Sequence, residues 1–527
     1  MADFADWTLQ DARQALPALD SGSTSNELFY TGDHWQSGDG WIGPRPAAGE
    51  VGGATVLIEI ERALVSKNAV REVLTRHGGA VLGHEPTWSL TPARALADGE
   101  EPTPDEQALI DEAEAALTVL WDARRLHQDF QQAVAILLYA GRAALRLYVP
   151  SGLLNDAGAV MAQTLSDALA VLYLDVPKPE QAGLVTDRTT QRQTGVYAYT
   201  TDDGAERVEV VSVDLASGAT LIQISGGEND ERAPLQLGGR LTICELARDP
   251  LITPQVRQQQ MLLNLAKTML ARNVVLGGFL ERIILNAQLP GEYVEDAVTK
   301  KKTFVPSPLK TGAGTTNVLA GLPVSDASGR VTGYATPTVM YRDPVPVTTF
   351  NDTEHSAYRG ILEEVHQLHA AIAGDATASG ESRRQARADF EASLGATISE
   401  VEAAGRWLLE TALAMAAAFA NQPGRFDALR ATFTCRVDSG PISADEQKEA
   451  RENVAAGLLS KETGMVRIGI DDTDAEKTKI AAEGETANQA QQTNATAILG
   501  RAGLLAQQVR SDGQATAQAP QDIAANA

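Results

Sequence analysis

From Glu381 to Ala420 the chain runs without a proline and is dominated by alanine, the residue that loses least on entering a helix. The run stops at Asn421-Gln422-Pro423-Gly424, where proline and glycine cannot continue it. One long helix is therefore expected over this stretch, and every other segment has to be placed around it. Its most apolar part, Leu408 to Ala420, contains Glu410 and is too short to span a bilayer.

The segments just upstream have a distinctive order. A Gly/Ser-rich break, Gly374 to Gly380, precedes the long helix, and a helical pattern from about Thr353 to Ile372 precedes the break. Pro254, capped by Thr253, opens another helical pattern that reaches about Gln288, with Gly277-Gly278 as a kink or break. Between these two patterns, residues 289–352 lose all helical period. They carry Lys300-Lys301-Lys302 and then many Pro, Gly, Thr and Val residues, which reads as a small β-rich insert.

The rest of the chain is mixed. Residues 1 to about 50 read as loosely structured, with a Ser/Gly/Thr/Asn-rich stretch from Asp20 to Asn26. Helical spacing runs from Ala54 to Val81 and from Pro104 to Tyr139, and a further helix is expected over about 156–170. Gly83 to Trp88 turns into a short strand, and Gly141 to Pro150 reads as another strand. A β meander is expected over 171–245, with strands 171–176, 194–200, 207–214, 220–225 and 240–245. After the long helix come a strand over 428–437 and a capping box at Ser443 and Glu446 that opens a helix to about Leu459. A short helix capped by Ser460 and an acidic helix start at Asp472-Thr473-Asp474 follow. The tail from about Ala487 is rich in Gln, Ala and Asn and is expected to be disordered beyond Ser511. No internal repeat is found.

Composition bounds the function. The 527 residues allow about two to four domains. Acidic residues outnumber basic ones 69 to 44, a formal charge of −25, which argues against a protein that grips nucleic acid with a basic coat. The two cysteines, Cys244 and Cys435, are too scattered for a disulfide framework or a zinc site. Met1 to Asp6 has neither a basic nor an apolar stretch of the kind that opens a signal peptide, so a soluble protein made in the cytosol is expected.

The motifs that would carry chemistry are weak. Lys310 to Thr316 is glycine-rich but lacks the lysine that a phosphate loop places after its last glycine. Asp472, Asp474, Glu476 and Glu483 are spaced like a calcium loop, but Lys477 stands where the sharp turn needs glycine. Glu363, His366 and His369 would share one helix face, a metal element only when a second copy faces it. The blander reading is a solvated face; facing copies around an axis would instead make a pH-sensitive ring. With no nucleophile elbow and no zinc motif, no catalytic residue, metal ligand or cofactor site is assigned.

The order of parts resembles the portal proteins of tailed bacteriophages, of the long-tailed siphophage type, from about Tyr30 to Glu483. The most specific match runs from Phe433-Thr-Cys-Arg-Val-Asp-Ser-Gly-Pro441-Ile-Ser443, through Asn453-Val-Ala-Ala-Gly-Leu-Leu-Ser460-Lys-Glu-Thr463, to Ile468-Gly-Ile-Asp-Asp472 and Ala475-Glu476. Tyr30 to Trp35, the Asn68-Ala-Val-Arg71 helix leading to Gly83-His-Glu-Pro-Thr-Trp88, and Gln258 to Asn264 support it.

The resemblance implies an α+β, mainly helical portal fold, with wing, stem, clip and crown regions assembled into a ring usually of about twelve copies. By position, a flexible arm (1–29) would precede the wing (30–253), a stem helix (254–288), the clip (289–352) and a second stem helix (353–372). The tunnel loop would be 373–380, followed by the long wing helix and strand (381–440), the crown (441–486) and a largely disordered tail (487–527). The tunnel-loop residues would be Ala373, Gly374, Asp375, Ala376, Thr377, Ala378, Ser379 and Gly380. Candidate channel-facing residues are Arg359, His366, His369, Arg383 and Arg384, and candidate clip contacts are Lys300, Lys301 and Lys302.

Such a ring at one capsid vertex is a structural protein, not an enzyme. It passes double-stranded DNA during packaging and ejection. Its partners would be other copies of itself, the terminase large subunit, a head–tail adaptor, the major capsid protein and scaffold, with no membrane and no cofactor. It would sit in the virion, and in the host cytoplasm during assembly. The competing readings are another phage structural protein, adaptor- or scaffold-like, and an enzyme with an unrecognised site.

Overall fold

The computed structural model describes residues 9–16, 23–34, 64–96, 100–155, 160, 162, 164–201, 203–225, 233–278, 282–288, 291–295, 300–307, 320–341, 345–372, 380–437, 444–467, 476–477 and 479–480. It is a mixed α+β fold in two units, Met1–Ser439 and Gly440–Ala527. No helix among the described residues is long and apolar enough to cross a membrane.

The helices of the first unit are α1 (Leu9–Ala15), α2 (Ser23–Thr31), α3 (Ala69–Leu82), α4 (Pro104–Arg124), α5 (Leu126–Ala140), α6 (Leu165–Ala170), α7 (Pro254–Gly278), α8 (Val347–Glu364), α9 (Leu368–Ile372) and α10 (Gly380–Phe419). The expected long helix is α10. Phe390, Leu394, Val401, Ala404, Leu408 and Ala412 recur on it three, four or seven residues apart and are fully or almost fully buried, the apolar stripe of a core-facing helix. That stripe belongs to one large core shared with α3, α4, α5 and the strands β1 (Thr87–Pro92) and β17 (Leu429–Thr434). β1 and β17 pair antiparallel with Trp88 opposite Phe433. Phe433 packs on Phe130 and Trp121, and a Cβ built on Gly405 of α10 would run into its ring. Glycine is required there because α10 and β17 approach too closely for a side chain.

The expected β meander is two sheets. A three-stranded sheet has the order β3 (Tyr173–Asp175), β2 (Arg142–Tyr148), β8 (Ile243–Ala247). A four-stranded one runs β4 (Ala182–Thr186), β5 (Gln193–Thr200), β6 (Glu206–Val213), β7 (Thr220–Ser225). The sequence reading missed β4 and did not separate the sheets. Two buried arginines of β2 join them. Arg146 makes a paired bond to Glu209 of β6, 3.0 Å and 2.5 Å, and its guanidinium lies over Tyr148 and Tyr197. Arg142 lies 3.9 Å from Glu245 of β8, whose carboxylate accepts the Leu184 amide of β4.

Several boundaries differ from the sequence reading. Residues 1–29 were expected to form a flexible arm, but α1 and α2 are helical and dock on the body. Ala12 and Leu16 bury on Val196, Ala198, Val208 and Val210, and Phe29 joins the main core. The polar composition of 20–26 hides this, because the driving contacts lie far away in sequence. Residues 104–140 break at Arg125, whose φ of 54° puts it in the left-handed region between α4 and α5. The described part of the first predicted helix begins only at Ala69, capped by Asn68. Leu64 to Asn68 precedes it outside any helix or strand. Helical structure in 156–170 is confined, among the described residues, to α6.

In the second unit, α11 (Ala444–Ala455) and α12 (Lys461–Arg467) are the described helices, and the Ser460 hydroxyl accepts the Thr463 amide as expected of a cap. Ser443, Asp472, Asp474 and Glu483 lie outside the described residues, as does Lys310 to Thr316.

Candidate functional site

The helix pair α7 and α8, with the β insert between them, is where the sequence reading placed the stem and clip. α7 carries a polar row on an otherwise packed face: Gln260, Asn264, Thr268 and Asn273, all buried. Buried amides and hydroxyls have to be satisfied, and here each is. The Gln260 carbonyl accepts the amides of Ala69 and Val70 at 3.0 and 3.1 Å, first-turn donors of α3 that have no partner within their own helix. Its amide donates to the Lys67 carbonyl at 2.7 Å. Asn264 accepts the Lys67 amide and donates to Nδ1 of His34, whose Nε2 then donates to the Phe29 carbonyl at 3.0 Å. Thr268 accepts the Val65 amide and donates to the Val65 carbonyl. The Leu64–Asn68 segment is thus strapped along α7 by side chains alone. Sequence reasoning singled out Gln258 to Asn264 but missed Thr268 and Asn273. Polar residues recurring four or five positions apart on a helix were the available signal.

The pair is closed from the other side as well. Lys267 and Glu354 form an ion pair at 2.8 Å, Thr253 donates to Glu364 at 3.1 Å, and Gln259 packs against Gly360. At the far end Asn273 binds both main-chain groups of Val345.

The insert begins earlier and ends earlier than expected. β9 (Arg282–Leu285) already falls within the predicted stem helix, and α8 resumes at Val347, not Thr353. β9 pairs with β16 (Thr338–Tyr341) at the base, so the strand pairing closes the insert before the helix returns. Beyond it lie β10 (Ala287–Gln288) with β13 (Ala320–Gly321), β11 (Gly291–Glu295) with β12 (Lys302–Pro306), and β14 (Pro323–Ser325) with β15 (Val331–Tyr334). Each described sheet in the insert has two strands. Tyr293, Val305, Val324, Tyr334 and Met340 are exposed on them, Tyr334 at 72%. Two-stranded hairpins with exposed apolar residues are marginal alone in water. Lys300, Lys301 and Lys302 lie on the same insert, all exposed. Lys300 is 4.0 Å from Glu295, and Lys302 stands opposite Glu295 in the ladder.

The expected single helix over 353–372 is broken. His366 adopts φ 57°, the Gln367 amide bonds back to the Leu362 carbonyl at 2.7 Å, and the His366 amide to that of Glu363 at 3.2 Å. This is a helix-ending turn with histidine where glycine is usual. Glu363, His366 and His369 therefore do not share a helix face, and among the described residues no group of His, Cys, Asp or Glu side chains could hold a metal ion. Arg359 is exposed and paired with Glu363 at 2.9 Å. Arg383 and Arg384 are exposed near the start of α10. A cavity of about 520 Å³ separates the end of α8 from that start, lined by Glu363, His366, Leu368, Glu381, Gln385 and Asp389. Ala373 to Ser379 lie outside the described residues, and Gly380 is the first residue of α10.

Behind the break, α3, α9 and α10 meet at a group the sequence did not signal. His77 is fully buried; its Nε2 is 3.0 Å from the Thr397 hydroxyl and 3.3 Å from an Arg248 guanidinium nitrogen, which also donates to Thr397. Burial, and then the Arg248 charge, push its pKa down to about 3. Both cysteines are equally inert: burial pushes the Cys244 and Cys435 thiols up to about 12, away from the thiolate that nucleophilic chemistry needs.

No protein-family model matches the chain, and no curated protein matches it in sequence.

Proposed function

We propose that this chain is the subunit of a bacteriophage portal ring, the channel for DNA at one vertex of a capsid. The observation that carries this reading is the insert. Two helices, pinned to each other and to the body, present a set of two-stranded hairpins whose apolar side chains face solvent in the single chain. A surface of this kind gains most from neighbouring copies, and a closed ring covers it without leaving a free edge.

The charge fits a conduit. At −25 per chain, a ring would repel the DNA backbone over most of its surface and let it slide, because each phosphate neutralised by a fixed cation adds affinity and drag. On this reading the insert docks the terminase large subunit and later the head–tail adaptor, while the body meets the capsid protein and scaffold.

The test is particle imaging of the purified protein. Rings with a central hole wide enough for duplex DNA are expected. A monomer or dimer at every concentration would overturn the proposal. Replacing residues 282–341 by a short linker is expected to leave the chain folded and abolish the rings.

A further inference from the structure

Besides Ala370, which packs against the main core, two contacts hold the short helix α9 on the body. The first is the neighbouring Gln367, whose buried amide donates to the Val73 carbonyl at 2.8 Å and accepts from Arg76 at 2.8 Å. This anchors the turn between α8 and α9 and contains no group that titrates near neutrality. The second is His369, which lies on Phe390 of α10 with ring centroids 4.5 Å apart. Phe390 in turn receives the edge of His77 on α3 at 6.1 Å.

The surroundings of His369 favour a neutral ring. Its Nδ1 is buried and finds no hydrogen-bond partner among the described residues. Arg76 faces it from α3, and Arg387 and Glu391 from α10; Glu391 is itself paired with Arg387 at 3.2 Å. A charged imidazole there would exchange water for a phenyl ring and two guanidinium groups, with one shared carboxylate in return. His366, the other imidazole at this turn, is exposed. His77 titrates far below the range in which an ordinary histidine does.

We propose that α9 is an acid-released latch: it stays on Phe390 while His369 is neutral and lifts away when His369 takes up a proton. The sign follows from linkage. Docking lowers the affinity of His369 for its proton, so the undocked state binds more protons and gains population as pH falls below about 6.5. One proton limits the effect to at most about tenfold per pH unit. The latch goes beyond the portal reading and would hold for the chain in any assembly.

Hydrogen exchange of the full chain at pH 7.5 and 5.5, corrected for intrinsic rates, tests it. Protection of amides 368–372 is expected to fall by up to about tenfold at the lower pH, while α3 and the middle of α10 keep theirs. His369→Phe keeps a ring on Phe390 without a proton and is expected to remove the change. Equal protection of the wild-type segment at both pH values, or an undiminished drop in His369→Phe, would overturn the proposal. Should that variant not fold, carbethoxylation of the wild-type chain across pH gives the answer. The midpoint for His369 is expected below the value of about 6.5 of an ordinary histidine, and a midpoint at or above that value refutes the latch.

Discussion

Asn273 holds the main chain of Val345 at two points: its Nδ2 donates to the Val345 carbonyl at 2.8 Å, and its Oδ1 accepts the Val345 amide at 3.0 Å. The residues are far apart in sequence and flank the insert. One buried side chain thus fixes where the chain leaves α7 and where it returns to α8. Asn273→Ala leaves both backbone groups without their partner and is expected to destabilise this junction by about 1–3 kcal/mol. Faster hydrogen exchange over 345–351, with little change in α10, is the result to look for. Asn273→Asp keeps the acceptor and is expected to fall between the two.

Gly405 and Phe433 give the second prediction. The ring of Phe433 occupies the space of a side chain at 405. Gly405→Ala forces β17 away from α10 or Phe433 out of its contact with Phe130 and Trp121, costing about 1–3 kcal/mol by overpacking. Denaturant unfolding measures it. Gly395→Ala, on the same helix with open space around it, is expected to be neutral or stabilising.

The Arg146–Glu209 pair is almost wholly buried between the two sheets. Glu209→Gln leaves Arg146 in the interior without its paired carboxylate and with only the weaker pull of Asp175, so it is expected to cost about 3–5 kcal/mol. The double variant Arg146→Met, Glu209→Leu is expected to recover a large part of that loss. A thermodynamic cycle over the four proteins separates the pair's coupling from the cost of an orphaned charge.

His77 predicts a pH dependence. Its folded pKa of about 3 lies below the unfolded value near 6.5, so the folded state binds fewer protons between them. Stability from keeping this imidazole neutral is complete above about pH 6.5 and is lost as pH falls towards 3, on the order of 5 kcal/mol over the full range. His77→Gln is expected to flatten the acid limb of a stability–pH curve. An unchanged slope in that variant would show that other groups set it.

Much of the secondary structure was legible because it rests on local rules. The alanine-rich run without proline gave α10, Thr253 and Pro254 marked the start of α7, and Ser460 capped α12. The β character of the insert followed from its loss of helical period. What failed were judgements about contacts. α1 reads as a polar arm and becomes a helix because Ala12 and Leu16 find a sheet almost two hundred residues away. The break at His366 is poorly marked locally, since histidine enters the left-handed region far less readily than the glycine that usually ends a helix. Gln367 enforces it by reaching Val73 and Arg76 on α3.

The sequence by itself determined where helices run, where glycine and proline stop them, and that a β-rich insert sits between two helices of an acidic chain. Those properties depend on backbone preferences and on neighbours a few residues apart. The tertiary structure alone decided which polar side chains became structural. Gln260, Asn264, Thr268 and Asn273 form one strap and clamp, Arg146 meets Glu209, and His369 comes to rest on Phe390. A buried polar group must find a partner or stay uncharged, and its partner's position is set by the packing of distant elements, which no local pattern encodes.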